Sequence, residues 1–161
     1  MKFRKIQASD NERLAQIIRK TLESFGLNIP GTVYTDPTTD NLHGLFLHPS
    51  SVYFVAENSA GEVIGGCGLY PTRGLPDGYA ELVKLYLSEE SRGRGIGRAL
   101  MEKCHEWARE KGLRHIYLET FGELSSAVTL YQNLGYQSLP GPLGKSGHDA
   151  CTIWMEKNLS R

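Results

Sequence analysis

Residues 85–98 read LYLSEESRGRGIGR, and this stretch is the most informative part of the chain. Its apolar start fits the end of a strand, a short acidic turn follows, and glycines then alternate with arginines before a helix begins. Glycine lets backbone N–H groups come close to an oxyanion, and a helix start adds unpaired donors and the positive end of its dipole. Arginine supplies a forked cation that suits phosphate. The stretch therefore predicts a phosphate-binding loop.

The spacing of these glycines does not fit the two common nucleotide motifs. A P-loop needs Gly-Lys followed by Ser or Thr, and no such sequence occurs in this stretch. The dinucleotide fingerprint needs Gly-x-Gly-x-x-Gly near a first strand, whereas Gly93, Gly95 and Gly97 alternate deep in the chain. A nucleotide-phosphate binder of another kind stays open as an alternative.

The flanking sequence predicts alternating strands and helices. Predicted strands cover residues 2–7, 52–57, 62–70, 79–87, 115–119, 136–139 and 150–155. Apolar stripes predict helices over residues 14–25, 96–108 and 127–134, with a helical turn or two at 41–47 and a capping box at Ser9–Glu12. This order predicts an α/β (α+β) fold with a mixed, largely antiparallel central sheet of about seven strands flanked by helices. Gly65, Gly66 and Gly68 crowd one strand and leave room for a ligand or for neighbouring backbone.

The composition predicts a single globular domain over residues 1–161. Eighteen Lys and Arg balance eighteen Asp and Glu, so neither nucleic acid nor an anionic membrane is an expected partner. The three cysteines are far apart and the five histidines do not cluster, so no metal is expected. Without a signal-like or membrane-spanning apolar run, the expected location is cytoplasmic.

The loop and its surroundings carry a family resemblance. Residues 92–97, RGRGIG, match the motif Arg/Gln-x-x-Gly-x-Gly/Ala, and the chain resembles the GCN5-related N-acetyltransferase superfamily. Residues 81–87 and 117–120 are similar to the family's fourth and fifth strands, and 127–136 to its helix with Ala-x-x-Leu-Tyr-x-x-x-Gly-Tyr. The resemblance implies an acyl-CoA N-acyltransferase fold and direct transfer of acetyl from the cosubstrate acetyl-CoA to a primary amine in a ternary complex.

The resemblance also implies which residues bind coenzyme A. Backbone N–H groups of the loop would hold the pyrophosphate, and the fourth strand would pair with the pantetheine arm as an added strand does. The N–H of Leu85 would polarise the thioester carbonyl. The implied coenzyme-binding residues are Leu85, Tyr86, Leu87, Arg92, Gly93, Arg94, Gly95, Ile96, Gly97 and Arg98.

Two catalytic roles follow from the same resemblance. An ammonium must lose a proton before it attacks a thioester, so a general base is required. Glu81 on the fourth strand and Glu119 at the end of the fifth are the alternatives, and we favour Glu81. Tyr131 is the candidate general acid for the departing thiolate, although its place on an apolar stripe also fits a packed aromatic.

The acceptor pocket is the part that the sequence defines least. The resemblance places residues 25–51 and 70–78 around it, and the acceptor stays open between small-molecule and peptide amines. Homodimers are common in the family, so a homodimer is possible here as well. The alternative function is a coenzyme-binding regulatory module without catalysis. The polar candidates for the pocket are Tyr34, Asp36, Asp40, His43, His148 and Asp149.

Overall fold

Residues 1–160, the part of the chain that the computed structural model describes, contain seven strands and four α-helices. The strands are β1 (Lys2–Lys5), β2 (Val52–Glu57), β3 (Val63–Tyr70), β4 (Tyr79–Leu87), β5 (His115–Thr120), β6 (Gln137–Leu139) and β7 (Ile153–Asn158). The helices are α1 (Asn11–Ser24), α2 (Leu42–Leu45), α3 (Ile96–Glu110) and α4 (Ser125–Asn133). None of these helices is long and apolar enough to cross a membrane.

One mixed sheet contains all seven strands, in the order β1-β2-β3-β4-β5-β7-β6. β4 and β5 run parallel and every other neighbouring pair is antiparallel, which confirms the predicted fold class. Short loops join β2 to β3 and β3 to β4, as antiparallel pairing allows, whereas the parallel pair needs the crossover through α3.

The two faces of the sheet bury separate apolar clusters. On one face, α1 presents Leu14, Ile18 and Leu22, spaced four residues apart and at most 1% exposed, towards the sheet. On the other face, α3 contributes Leu100 and Cys104 to a cluster that also includes residues of α4. The sheet is therefore covered by helices on both sides.

The pairing of strand β4 with both of its neighbours changes halfway along its length. It pairs with β5 only from Tyr79 to Glu81, and beyond that point a cavity lies between the two strands. Its register with β3 also shifts beyond Val83, where Lys84 adopts φ +55°. The Lys84 carbonyl accepts a 2.8 Å hydrogen bond from the hydroxyl of Tyr53. This bulge interrupts the β-ladder beside the cavity.

The glycines of β3 make room for the ring of Tyr53. A Cβ on Gly66 would overlap that ring, and one on Gly68 would lie 2.7 Å from its Cδ2 and 2.5 Å from the Val52 carbonyl oxygen. Neighbouring protein atoms therefore fill the space that the missing side chains leave. The glycines let Tyr53 lie across β3 and reach the bulge in β4.

Two local predictions are wrong, each because a group bonds to a partner other than the predicted one. No side chain caps α1, so the predicted box at Ser9–Glu12 does not form; the Asp10 carboxylate instead accepts bonds from the Arg4 guanidinium and the Gln7 N–H. The last strand begins at Ile153 rather than Ala150, since the N–H of Ala150 bonds to the Gly31 carbonyl at 3.2 Å.

Candidate active site

A cavity of about 520 Å³ lies between the separated parts of β4 and β5. The glycine loop forms one end, and Glu81, Glu119 and His148 lie in its wall with the bulge residue Lys84. The first half of α4 and residues around the end of α1 complete the lining. Every coenzyme-binding and catalytic residue that the sequence predicts lines this cavity, except Arg94.

The glycine loop has a backbone that suits an anion. Gly93 and Gly95 have φ values of +75° and +78°, in the left-handed region where other residues are strained. A Cβ at either position would meet nothing within 4 Å, so glycine is required there for its backbone freedom. Gly95 is also the residue that caps α3, whose first turn begins at Ile96 in the cavity wall. The loop and helix start therefore fit a phosphate group.

The arginines of the loop have different surroundings. Arg92 donates from Nε to the Leu87 carbonyl at 3.2 Å and from Nη2 to the hydroxyl of Thr21 at 3.0 Å, so it ties the loop to β4 and α1. Arg98 is half-exposed and pairs with Glu102 one turn along α3. The guanidinium of Arg92 thus holds the loop in place, while that of Arg98 lies at the surface.

Glu81 is a buried carboxyl group in the cavity wall. It is 3% exposed, and its Oε1 accepts a 2.6 Å hydrogen bond from the hydroxyl of Thr72. Burial raises the pKa of Glu81 to about 7, which outweighs the lowering by Thr72. A carboxylate with a pKa near 7 can accept a proton efficiently at neutral pH.

Glu119, the alternative base, is held more firmly. Its Oε2 accepts a 2.6 Å hydrogen bond from the hydroxyl of Tyr117, and its Oε1 accepts one from the hydroxyl of Ser146. Tyr117 in turn accepts from the N–H of Leu143 at 3.3 Å. Glu119 therefore anchors the loop between β6 and β7 to β5, and each of its oxygens already has a partner.

Tyr131 is almost completely buried but still borders the cavity. It packs at an angle against Tyr136, with ring centroids 6.0 Å apart. Its hydroxyl forms no hydrogen bond with any residue among 1–160, and burial raises its pKa, so the phenol stays protonated. A protonated hydroxyl at the cavity wall is a free donor.

The cysteines offer no good nucleophile. Cys67 and Cys104 are buried in the core. Cys151 lines the cavity, but burial raises the pKa of its thiol to about 12, so little thiolate forms at neutral pH. Within residues 1–160 no group of three or more metal-ligating side chains comes together.

The acceptor end contains a polar cluster that the sequence reveals only in part. The Oδ2 atom of Asp36 accepts a 2.9 Å hydrogen bond from His148 Nε2, which holds the pKa of Asp36 well below its usual range. The ammonium of Lys84 lies 3.9 Å from the same oxygen. Asp36 and His148 are expected here from the sequence, whereas Lys84 is not; its one signal in the sequence is a lysine inside a mainly apolar strand.

Of the polar candidates for the acceptor end, His148 lies in the cavity wall and Asp36 bonds to it, whereas the remaining candidates do not line the cavity. The hydroxyl of Tyr34 donates to Glu23 at 2.6 Å, and Asp40 pairs with Arg19. His43 is in α2, and Asp149 is exposed.

Comparisons with known proteins agree with the fold. The model of the acetyltransferase (GNAT) family matches residues 13–136. The chain is 35% identical to the uncharacterized N-acetyltransferase YjgM of Escherichia coli over 98% of this chain and 94% of that protein. It is 31% identical to the IAA acetyltransferase of Azospirillum brasilense over 80% of this chain and 82% of that protein. A GNAT-family acetyltransferase from Staphylococcus aureus has the same fold, with a TM-score of 0.86, 22% identity and 98% of each chain covered.

These findings define the class of protein: the chain is an acyl-CoA-dependent acetyltransferase. It belongs to the acetyltransferase (GNAT) family, which confirms the resemblance carried by residues 79–137. The alternative of an unrelated nucleotide binder is excluded.

Proposed function

We propose that this protein transfers the acetyl group of acetyl-CoA to a primary amine, directly within a ternary complex, with Glu81 as general base and Tyr131 as general acid. The observation that carries the proposal is the cavity, since a buried carboxyl group with a pKa near 7 and a protonated phenol share its wall with the glycine loop. The proposal assigns the activity to residues 1–161 as one N-acetyltransferase domain.

The residues that would hold the coenzyme lie along one side of the cavity. The N–H groups of residues 93–98 and the start of α3 would bind its pyrophosphate. The backbone of Leu85, Tyr86 and Leu87 would pair with its pantetheine arm, because β5 pairs with β4 only as far as Glu81 and leaves that edge of β4 open. When bound, acetyl-CoA supplies the thioester that the amine attacks.

The proton transfers are assigned as follows. Glu81 takes one proton from the ammonium of the acceptor, so that the neutral amine nitrogen can form a bond to the acetyl carbon. As that bond forms, the N–H of Leu85 stabilises the charge on the carbonyl oxygen. When the carbon–sulfur bond breaks, the hydroxyl of Tyr131 gives its proton to the sulfur, and solvent returns a proton to the phenolate. A further proton leaves the nitrogen to solvent and Glu81 releases to solvent the proton that it took, so the products are an amide, a free thiol and one proton.

Two contacts support Glu81 over Glu119 as the base. The Thr72 hydroxyl occupies one oxygen of Glu81, which leaves the other to receive a proton. Both oxygens of Glu119 accept hydrogen bonds from hydroxyls. The raised pKa of Cys151 supports direct transfer, because a covalent acetyl-cysteine would need a thiolate.

A thiol-release assay tests the proposal. Acetyl-CoA is offered with polyamines, aminoglycosides, amino acids and short peptides, and binding of acetyl-CoA alone is measured by thermal shift. The expected result is thiol release that depends on at least one amine, with initial rates that follow a ternary-complex pattern. Binding of acetyl-CoA without turnover of any amine would instead favour the coenzyme-binding module. A cytoplasmic location and a homodimer stay predictions.

A further inference from the structure

Lys84 is a buried cation whose hydrogen-bonding capacity is unused. Its side chain is 4% exposed and lines the cavity, yet its ammonium forms no hydrogen bond with the residues that the structure describes. The nearest carboxylate oxygen, on Asp36, is 3.9 Å away, beyond hydrogen-bond length. An ammonium has three N–H donors, so Lys84 has donors to offer to a molecule in the cavity.

Asp36 is already occupied by other donors. Its Oδ2 accepts from His148 at 2.9 Å, and its Oδ1 accepts from both the N–H and the hydroxyl of Thr38, at 2.9 and 2.7 Å. The pair of Asp36 and Lys84 is therefore a loose charge contact, which leaves the donors of Lys84 for another acceptor.

The position of Lys84 separates it from the coenzyme phosphates. It precedes Leu85–Leu87, the segment proposed to pair with the pantetheine arm, and it lies three positions after Glu81 on β4. Lys84 and Glu81 line the same cavity. A small molecule whose amine reaches Glu81 would thus have Lys84 beside it.

The acceptor end is also tied together by contacts between loops. The N–H of Ala150 bonds to the carbonyl of Gly31 at 3.2 Å, and that of Lys145 bonds to the carbonyl of Arg73 at 2.8 Å. Together with the bond between His148 and Asp36, these contacts join the loops after α1, after β3 and before β7. An acceptor end whose loops are joined in this way suits a small molecule better than a long peptide.

We infer that the acceptor is a small amino acid, whose amine is delivered to Glu81 while its carboxylate is bound by the ammonium of Lys84. This inference rests on the proposed function and adds the class of substrate. The carboxylate supplies the acceptor oxygens that Lys84 lacks, and it balances a cation that burial otherwise penalises. Lys84 is thereby a residue that determines specificity.

The test compares each amino acid with its own primary amide, for example leucine with leucinamide and phenylalanine with phenylalaninamide. The amide has no negative charge, and its α-amino group has a pKa near ~8, lower than in the free amino acid, so it is the better nucleophile at pH 7. The intact enzyme should nevertheless have a kcat/KM roughly ten- to a hundredfold higher for the acids, from one charged hydrogen bond. Titration calorimetry on the coenzyme A complex should show the same order of affinities.

The variant Lys84→Met should remove this preference by lowering kcat/KM for the acids while leaving the amides within about threefold. Lys5→Met, at an exposed position of β1, is the matched control and should change neither. Equal use of acids and amides by the intact enzyme, which needs no variant, would overturn the inference; so would an equal loss for both in Lys84→Met. If either result is obtained while some amine is still acetylated, the inference about the acceptor fails but the proposed function stands. If no amine is acetylated, the proposed function and the inference both fail.

Discussion

The two ends of the cavity are constructed in different ways. The coenzyme end is local in sequence, since residues 85–98 supply a strand end, a glycine loop and a helix start in one run. The acceptor end joins groups that are far apart, and its hydrogen bond between His148 and Asp36 spans 112 positions. A local arrangement leaves a motif that can be recognised in one sequence. An arrangement of distant residues leaves no motif, and its chemistry emerges only when the fold brings the side chains together.

The largest loss of activity is expected from substitution of Glu81, which lies between the coenzyme end and the acceptor end of the cavity. Glu81→Gln should lower kcat by about 10²- to 10⁴-fold, because the amine then has no base. The pKa of Glu81 is raised to about 7, so wild-type activity should fall as the pH drops through 7, where the carboxylate becomes protonated. The pH–rate profile of the variant should lack that acidic limb.

Glu119→Gln provides the comparison for the base. It loses one acceptor for the hydroxyl of Tyr117 or Ser146 but should keep the acidic limb of the profile. If the limb disappears in Glu119→Gln and persists in Glu81→Gln, the two roles are reversed.

Tyr131→Phe should lower kcat by roughly ten- to a hundredfold, since it removes the donor to the departing sulfur. The affinity for acetyl-CoA, measured by calorimetry, should stay within about twofold because the ring is retained. Tyr136→Phe is the matched control: it removes a 2.8 Å hydrogen bond to His105 in the core, so it should lower the melting temperature and leave kcat unchanged. Equal kcat values for Tyr131→Phe and wild type would exclude Tyr131 as the acid.

Gly95→Ala tests the coenzyme end by itself. Alanine at φ +78° is strained by about 1–2 kcal/mol, so acetyl-CoA should bind roughly tenfold more weakly, while the KM of the amine at saturating acetyl-CoA should not change. Gly141→Ala is the control, because its Cβ also meets nothing within 4 Å and its φ is not in the left-handed region. A loss of affinity in both variants, or in neither, would contradict this role of the loop backbone.

The smallest effect is expected where the two ends meet, at the bulge. Tyr53→Phe removes the hydrogen bond to the Lys84 carbonyl and should lower the free energy of unfolding by about 1 kcal/mol, measured with urea. Tyr34→Phe removes a hydroxyl bonded to Glu23 at the surface. It should lower the free energy of unfolding by less than half as much as Tyr53→Phe does. No difference between the two variants would mean that Tyr53 does not support the bulge.

Most of the fold could be predicted because its signals are local. The strand order along the chain, the helical stripes, and the helix ends at Gly26, Gly112 and Gly135 follow from patterns of a few residues, and the structure has left-handed φ values at all three glycines. The errors arose where a residue outside the predicted pattern took a hydrogen-bonding group that the prediction had assigned to the local structure. Arg4 draws the Asp10 carboxylate towards β1, and Gly31 holds Ala150 in a loop.

The candidate site also has one part that local motifs predict and one part that they do not. The coenzyme loop, Glu81 and Tyr131 could be placed from their motifs, and the structure brings them around one cavity. Lys84 could not be identified, because it lies at a bulge whose backbone carbonyl is bonded by Tyr53 from across β3, in the space left by Gly66 and Gly68. No pattern within β4 contains this information.

The backbone of Lys84 has a consequence for protein engineering. A lysine at φ +55° sits in a conformation that glycine or asparagine adopts at less cost, so a redesign that ranks residues by thermal stability alone would replace it. That exchange would relax the bulge and at the same time delete the ammonium that we assign to the acceptor. At this position a thermostabilised variant would have a broader choice of amines, and screening for heat resistance without screening for selectivity would conceal the change.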